Sequence, residues 1–228
     1  MKRRYKLIII IIIGAILTIL INKTVIKNKV TLVSIGDSFS LAATPYNVAG
    51  TSFSDYLKEM YEDNNELEGY NNEFAMNHLT IHELNNYLEK NILGTNSRVP
   101  IKQTLAKAEV ITIAIGIDEI ASISLEQNIN EYIINNYLEE MEMLLQSIRE
   151  FSDKNIVLIG LYPANKFDKN DAITVNKELN KLCGKYKVHF LDILAESLQE
   201  ENYFSKDSYY MNYKAHKKIA NMLYKVYK

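Results

Sequence analysis

A lone hydroxyl stands where an apolar run breaks off, in the stretch Val33-Ser34-Ile35-Gly36-Asp37-Ser38-Phe39-Ser40. A serine at the mouth of a buried strand can be a nucleophile, or it can cap a helix. A nucleophile needs a base to take its proton and N–H donors to hold the oxyanion that its attack creates. Residues of those types recur along the chain. Gly116-Ile117-Asp118-Glu119 follows a second apolar run, Asp192 follows another, and the block Asp207 to His216 precedes the last amphipathic stretch. His78 and His82 are spaced as one helical turn, which more simply describes a solvated helix surface than a base. Asp37, Asp118, Glu119 and Asp207 are hard oxygen donors of the kind that hold Ca²⁺ or Mg²⁺. Their spacing matches no metal-binding loop. The expected roles are therefore Asp37 bonding amides of its own loop and Glu119 capping or solvating a helix start, with no metal and no cofactor.

These residues must be positioned by the elements around them. Strand-like runs at Val30–Ile35, Val110–Ile115, Ile156–Leu161 and Val188–Leu191, with a weaker one at Glu73–Met76, alternate with helix-like segments. The helical readings are Phe53–Tyr61, Thr80–Asn91, a short helix from Pro100 to about Ala108, Leu125–Phe151, Ala172–Tyr186 and Tyr213–Tyr227. Thr80 with Glu83 forms a capping box. Such alternation predicts a parallel sheet covered by helices on both faces, with ligands bound outside the carboxyl ends of the strands. The polar clusters fall at those ends. Cys183, the only cysteine, is expected to pack as a small hydrophobe.

The Gly36-Asp37-Ser38 loop, the Gly116-Ile117-Asp118-Glu119 loop and the block Asp207-Ser208-Tyr209-Tyr210-Met211-Asn212-Tyr213-Lys214-Ala215-His216, in that order, resemble the SGNH (GDSL-type) hydrolase family. The likeness runs from about Val30 to the C-terminus. It implies a three-layer flavodoxin-like α/β sandwich with a parallel five-stranded sheet. It also implies Ser38 as nucleophile, Asp207 as the acid that orients the base, and Gly36, Asp37, Gly116 and Asp118 around the oxyanion. Three positions depart from the family pattern. Tyr210 stands where the catalytic histidine is expected, Asp118 where the oxyanion asparagine is expected, and no glycine occupies the second block, where Ala75 and His78 are nearest. A tyrosine with an ordinary pKa of about 10 is a poor base at neutral pH, and an ionised Asp118 would repel an oxyanion. His216 is then the alternative base. Tyr203, Phe204, Tyr209, Tyr210 and Tyr213 crowd the same block and could line a pocket or simply pack.

Ahead of this domain, Lys2, Arg3, Arg4 and Lys6 precede an apolar run from Leu7 to Ile21. That pattern predicts an uncleaved signal anchor over residues 1–27, with the N-terminus cytoplasmic and the domain of residues 28–228 outside, as on a Gram-positive bacterial surface. The chain of 228 residues is 47% hydrophobic and 24% charged, with a formal net charge of -2, which argues against wholesale disorder and against nucleic-acid binding. Two functions are open on this reading. One is a membrane-anchored esterase or deacetylase acting on an acylated carbohydrate or lipid of the envelope. The other is a degenerate SGNH-fold protein that binds or scaffolds at the membrane.

Overall fold

The computed structural model describes residues 29–43, 50–202 and 208–228. The expected membrane anchor and Asp207, with Tyr203 and Phe204, lie outside the described residues. Among the described residues no helix is long and apolar enough to cross a membrane.

Five parallel strands, β1 (Val30–Gly36), β2 (Leu67–Ala75), β3 (Val110–Ala114), β4 (Asn155–Ile159) and β5 (His189–Leu191), form one sheet in the order β2-β1-β3-β4-β5. All of β3 is buried, as is β4 after its first residue. This is why both read as unbroken Ile/Val/Leu runs. β2 is an edge strand in which only the last two residues, Phe74 and Ala75, are buried. Its half-exposed sequence LEGYNNEFA carries little apolar signal, so sequence reading recovers only its buried end.

The helices are α1 (Phe53–Asp63), α2 (Ile81–Lys90), α3 (Ile101–Lys107), α4 (Ile117–Glu126), α5 (Glu131–Arg149), α6 (Lys169–Lys185), α7 (Leu194–Ser197) and α8 (Tyr213–Val226). The chain steps one way from β1 to β2 and the opposite way from β2 through β5. Right-handed crossovers therefore put α1 on one face of the sheet and α2 to α6 on the other. α8 packs against α1, while α5 packs against both α2 and α6. The three-layer α/β sandwich is as expected.

The single helix expected over Leu125–Phe151 is two helices. The side chain of Asn130 accepts from the N–H of Ile133 and starts α5 afresh, with Gln127 extended between the two. α4 begins at Ile117, where sequence reading places only a loop. Its buried positions Ile117, Ile120, Ala121 and Ser124 follow helical spacing. The Thr80–Glu83 capping box is present at the start of α2. Cys183 is buried in α6, and burial pushes its thiol up to about 12, as suits a packed and unreactive group.

The crossing of β1 and β3 is tight. Gly36 has φ 144, and a Cβ placed there would lie 1.8 Å from the carbonyl oxygen of Ala114. Only glycine lets the two strands close at their carboxyl ends. Gly36→Ala is expected to destabilise the full-length chain by about 3 kcal/mol or more, read as a lowered urea midpoint.

Candidate active site

Three strand ends and two loops converge on Ser38. β1 ends at Gly36, paired with Ala75 at the end of β2 and Ala114 at the end of β3. Asp37 follows, wholly buried, and spans the gap to α4. Its Oδ2 accepts the N–H groups of Gly116 (2.9 Å), Ile117 (3.1 Å) and Asp118 (3.4 Å), and its Oδ1 accepts that of Phe39 (3.0 Å). A carboxylate at a helix N-terminus meets both unpaired donors and the positive end of the helix dipole. Burial, with a smaller contribution from Asp118, pushes Asp37 up to about 8, against the pull of those N–H groups. The expectation that Asp37 bonds its own loop is met by Phe39, and the three bonds to α4 extend it. Gly116 has φ 105, and a Cβ there would strike the Tyr137 ring at 2.4 Å. The loop can therefore turn into α4 only at glycine.

Ser38 is buried, and its hydroxyl caps no helix. Its Oγ accepts the main-chain N–H of His78 at 2.9 Å, and its own N–H donates to Oδ2 of Asp118 at 3.1 Å. Phe39 turns the other way into an aromatic cluster, with ring centroids 5.5 Å from Phe53, 5.4 Å from Tyr162 and 4.8 Å from His216. Packing of that neighbour fixes the loop that carries the hydroxyl.

Tyr210 reaches the site. Its hydroxyl donates to Oδ1 of Asp118 at 2.8 Å and interacts with the Ser38 hydroxyl. Tyr209 donates to the same oxygen at 3.0 Å, with its hydroxyl oxygen 3.1 Å from that of Tyr210. Burial is the main cause that pushes Tyr210 up to about 12, with Asp118 adding to it. The phenol is therefore a proton donor at neutral pH, not a base. Glu119 points away and accepts the N–H of Ile81 at 3.2 Å, at the start of α2. Burial raises its pKa. The helix-start role expected for Glu119 is thus the observed one, on a neighbouring helix.

The remaining candidates separate. Ala75 lies in the sheet, and the next amide, that of Met76, bonds the Gly36 carbonyl. The amide that meets Ser38 comes instead from His78, which has φ 58 and stands in the turn before α2. His78 and His82 therefore do not share a helix face, and His82 pairs with Glu140 at 3.1 Å. His216, the alternative base, is fully buried in α8, where its Nδ1 accepts the N–H of Phe53 at 3.1 Å. Its Nε2 has no hydrogen-bond partner among the described residues. This reading of His216 is corrected: the ring is a structural bridge between α8 and α1. Asp192 bonds the N–H of Leu194 in its own turn. Among the described residues no group of His, Cys, Asp and Glu is arranged to hold a metal ion. A surface cavity of about 360 Å³, lined by Arg149, Lys154, Lys187 and His189 among others, opens at the opposite, amino-terminal end of the strands.

The sequence pattern of the GDSL-like lipase/acylhydrolase family matches residues 32–223. The chain belongs to this family. Solved structures of similar fold include the lipase Lip_vut3 from a goat rumen metagenome, at TM-score 0.67 and 20% identity, covering 86% of this chain and 97% of that one. An acetylxylan esterase from Geobacillus stearothermophilus gives TM-score 0.64 at 15% identity over 88% of this chain and 94% of that one. A lipase/acylhydrolase from Enterococcus faecalis gives TM-score 0.61 at 15% identity, covering 86% and 94%. No curated protein sequence matches the chain. In the Geobacillus enzyme a catalytic aspartate and a catalytic histidine stand three positions apart, the spacing of Asp207 and Tyr210 here.

The buried His216 has a consequence for stability. Burial pushes its ring from an ordinary 6.5 down to about 4. Above pH 6.5 the ring is neutral in both folded and unfolded chains, so its full contribution is present. As pH falls toward 4 only the unfolded chain takes up the proton, and stability is lost. Each pH unit crossed in that window removes about 1.4 kcal/mol, so the whole loss is about 3 kcal/mol. Urea unfolding at about pH 7 and about pH 4.5 is expected to show this drop in the parent and a smaller one in His216→Gln, whatever the variant's own stability at neutral pH.

Proposed function

We propose that the protein is a serine ester hydrolase of its family that removes an acyl or acetyl group from a carbohydrate or lipid of the cell envelope. In this reading residues 1–27 anchor the chain in the membrane and the domain faces outward. The observation that carries it is the placement of Ser38. Its hydroxyl sits at the carboxyl end of β1, on a loop held by Asp37, with a main-chain N–H and a phenol beside it. A capping serine would bond its own helix instead. The fold likeness to an esterase of acetylated xylan supports a carbohydrate ester as the substrate class.

A second reading, a binding module on a retired hydrolase scaffold, is favoured by one specific observation. The Ser38 N–H, which an oxyanion would use, is occupied by the Asp118 carboxylate. Loss of one oxyanion donor costs roughly 3–4 kcal/mol of transition-state stabilisation.

Incubating the full-length chain with a fluorophosphonate probe and with p-nitrophenyl acetate decides between them. Labelling and turnover that disappear in Ser38→Ala are the expected result. A parent that neither labels nor turns over, with activity appearing only in Tyr210→His, establishes the binding module.

A further inference from the structure

An esterase needs a base, and the position usual for it holds Tyr210. We infer that His78 is the base and that Asp118 is its positioning carboxylate, giving a Ser38–His78–Asp118 set assembled from β1, the β2–α2 turn and α4. The inference rests on Ser38 being an ester-cleaving nucleophile.

The chain has four histidines, and all are among the described residues. His216 commits Nδ1 to the Phe53 N–H inside the core. His82 pairs with Glu140 on the outer surface. His189 begins β5, at the opposite end of the sheet from Ser38. His78 alone meets the nucleophile and a carboxylate together. Its N–H bonds Ser38 Oγ at 2.9 Å, and its Nδ1 lies 3.6 Å from Oδ2 of Asp118. The latter is beyond a hydrogen bond and within reach of an ion pair once the ring takes up a proton. The left-handed backbone at His78 (φ 58) lets one residue present its amide to Ser38 and its ring to Asp118. The side chain is 76% exposed, so the ring can turn to bring a nitrogen onto Oγ. Such contacts commonly tighten only when substrate is bound.

Two departures from the family pattern then explain each other. An asparagine at position 118 carries no negative charge to offset an imidazolium, whereas an ionised Asp118 does. Tyr209 and Tyr210 both donate to Oδ1 of Asp118, which leaves Oδ2 facing Ser38 and His78. A tyrosine in the histidine's place thus has a task, holding the relocated acid.

In the acylation step the Ser38 Oγ–H proton passes to a neutral ring nitrogen of His78 as Oγ bonds the ester carbonyl carbon. The carbonyl electron pair moves onto oxygen. The imidazolium draws the Asp118 carboxylate toward itself, which releases the Ser38 N–H to the oxyanion. The tetrahedral centre then collapses with cleavage of the bond to the leaving oxygen, and His78 returns its proton to that oxygen, giving an alcohol and acyl-Ser38. Water, losing a proton to His78, repeats the sequence and frees the carboxylic acid and Ser38.

The test uses the full-length chain with p-nitrophenyl acetate and the fluorophosphonate probe. His78→Asn is suitable because asparagine tolerates left-handed backbone. It is expected to lower kcat by about 10²–10⁴-fold, with partial rescue by added imidazole and an unchanged urea midpoint. Asp118→Asn is expected to lower kcat with KM little altered. The inference is overturned if His78→Asn stays within about threefold of the parent, or if Asp118→Asn is faster, as restoring an oxyanion amide would make it. A parent without Ser38-dependent turnover overturns it together with the esterase reading, so the two failures are told apart by Ser38→Ala.

Discussion

The buried carboxylate of Asp37 is the interaction on which the site depends. It belongs to the loop after β1, yet three of its four bonds go to the first amides of α4, which follows β3. Two neighbouring strands are thereby joined at their carboxyl ends by hydrogen bonds in a water-free setting, where such bonds are strong and an unpaired amide is costly. With the strand ends joined, the residue after Asp37 and the second residue of α4 are forced together. That is how Ser38 and Asp118, eighty positions apart, come to touch.

Around this tie the fold is arranged so that little can shift. Gly36 admits the close passage of Ala114, and Gly116 admits the Tyr137 ring. Phe39 anchors the loop in a cluster whose far side is His216, itself bonded to the start of α1. The histidine of α8 thus contributes order rather than chemistry. Burial strips the ring of its charge and leaves it as a polar spacer between two helices.

The chemical character of the site follows from what surrounds Asp118. Its carboxylate receives two phenols and a main-chain amide and faces an imidazole. An acid at the oxyanion position is a liability when the site is read as a set of separate parts. In a network with His78 opposite it, the same acid acquires a role, and the tyrosine at the histidine's usual place acquires one as well.

By itself the sequence determined the layered α/β fold, the central strands, the α2 capping box and the loop bearing Ser38. Those features rest on local signals: unbroken apolar runs, cap residues and a glycine-acid-serine turn. It also showed that Tyr210 and Asp118 depart from the family pattern. The half-exposed edge strand β2 and the start of α4 were less legible, because neither is announced by a strong local break or run. Only the tertiary structure decided where the hydrogen bonds of the site go. It sent Glu119 to α2, His216 into the core, and the His78 amide to Ser38. Such partners are set by strand order and by a left-handed turn at His78, and no spacing along the chain encodes which of four histidines the fold will bring to one serine.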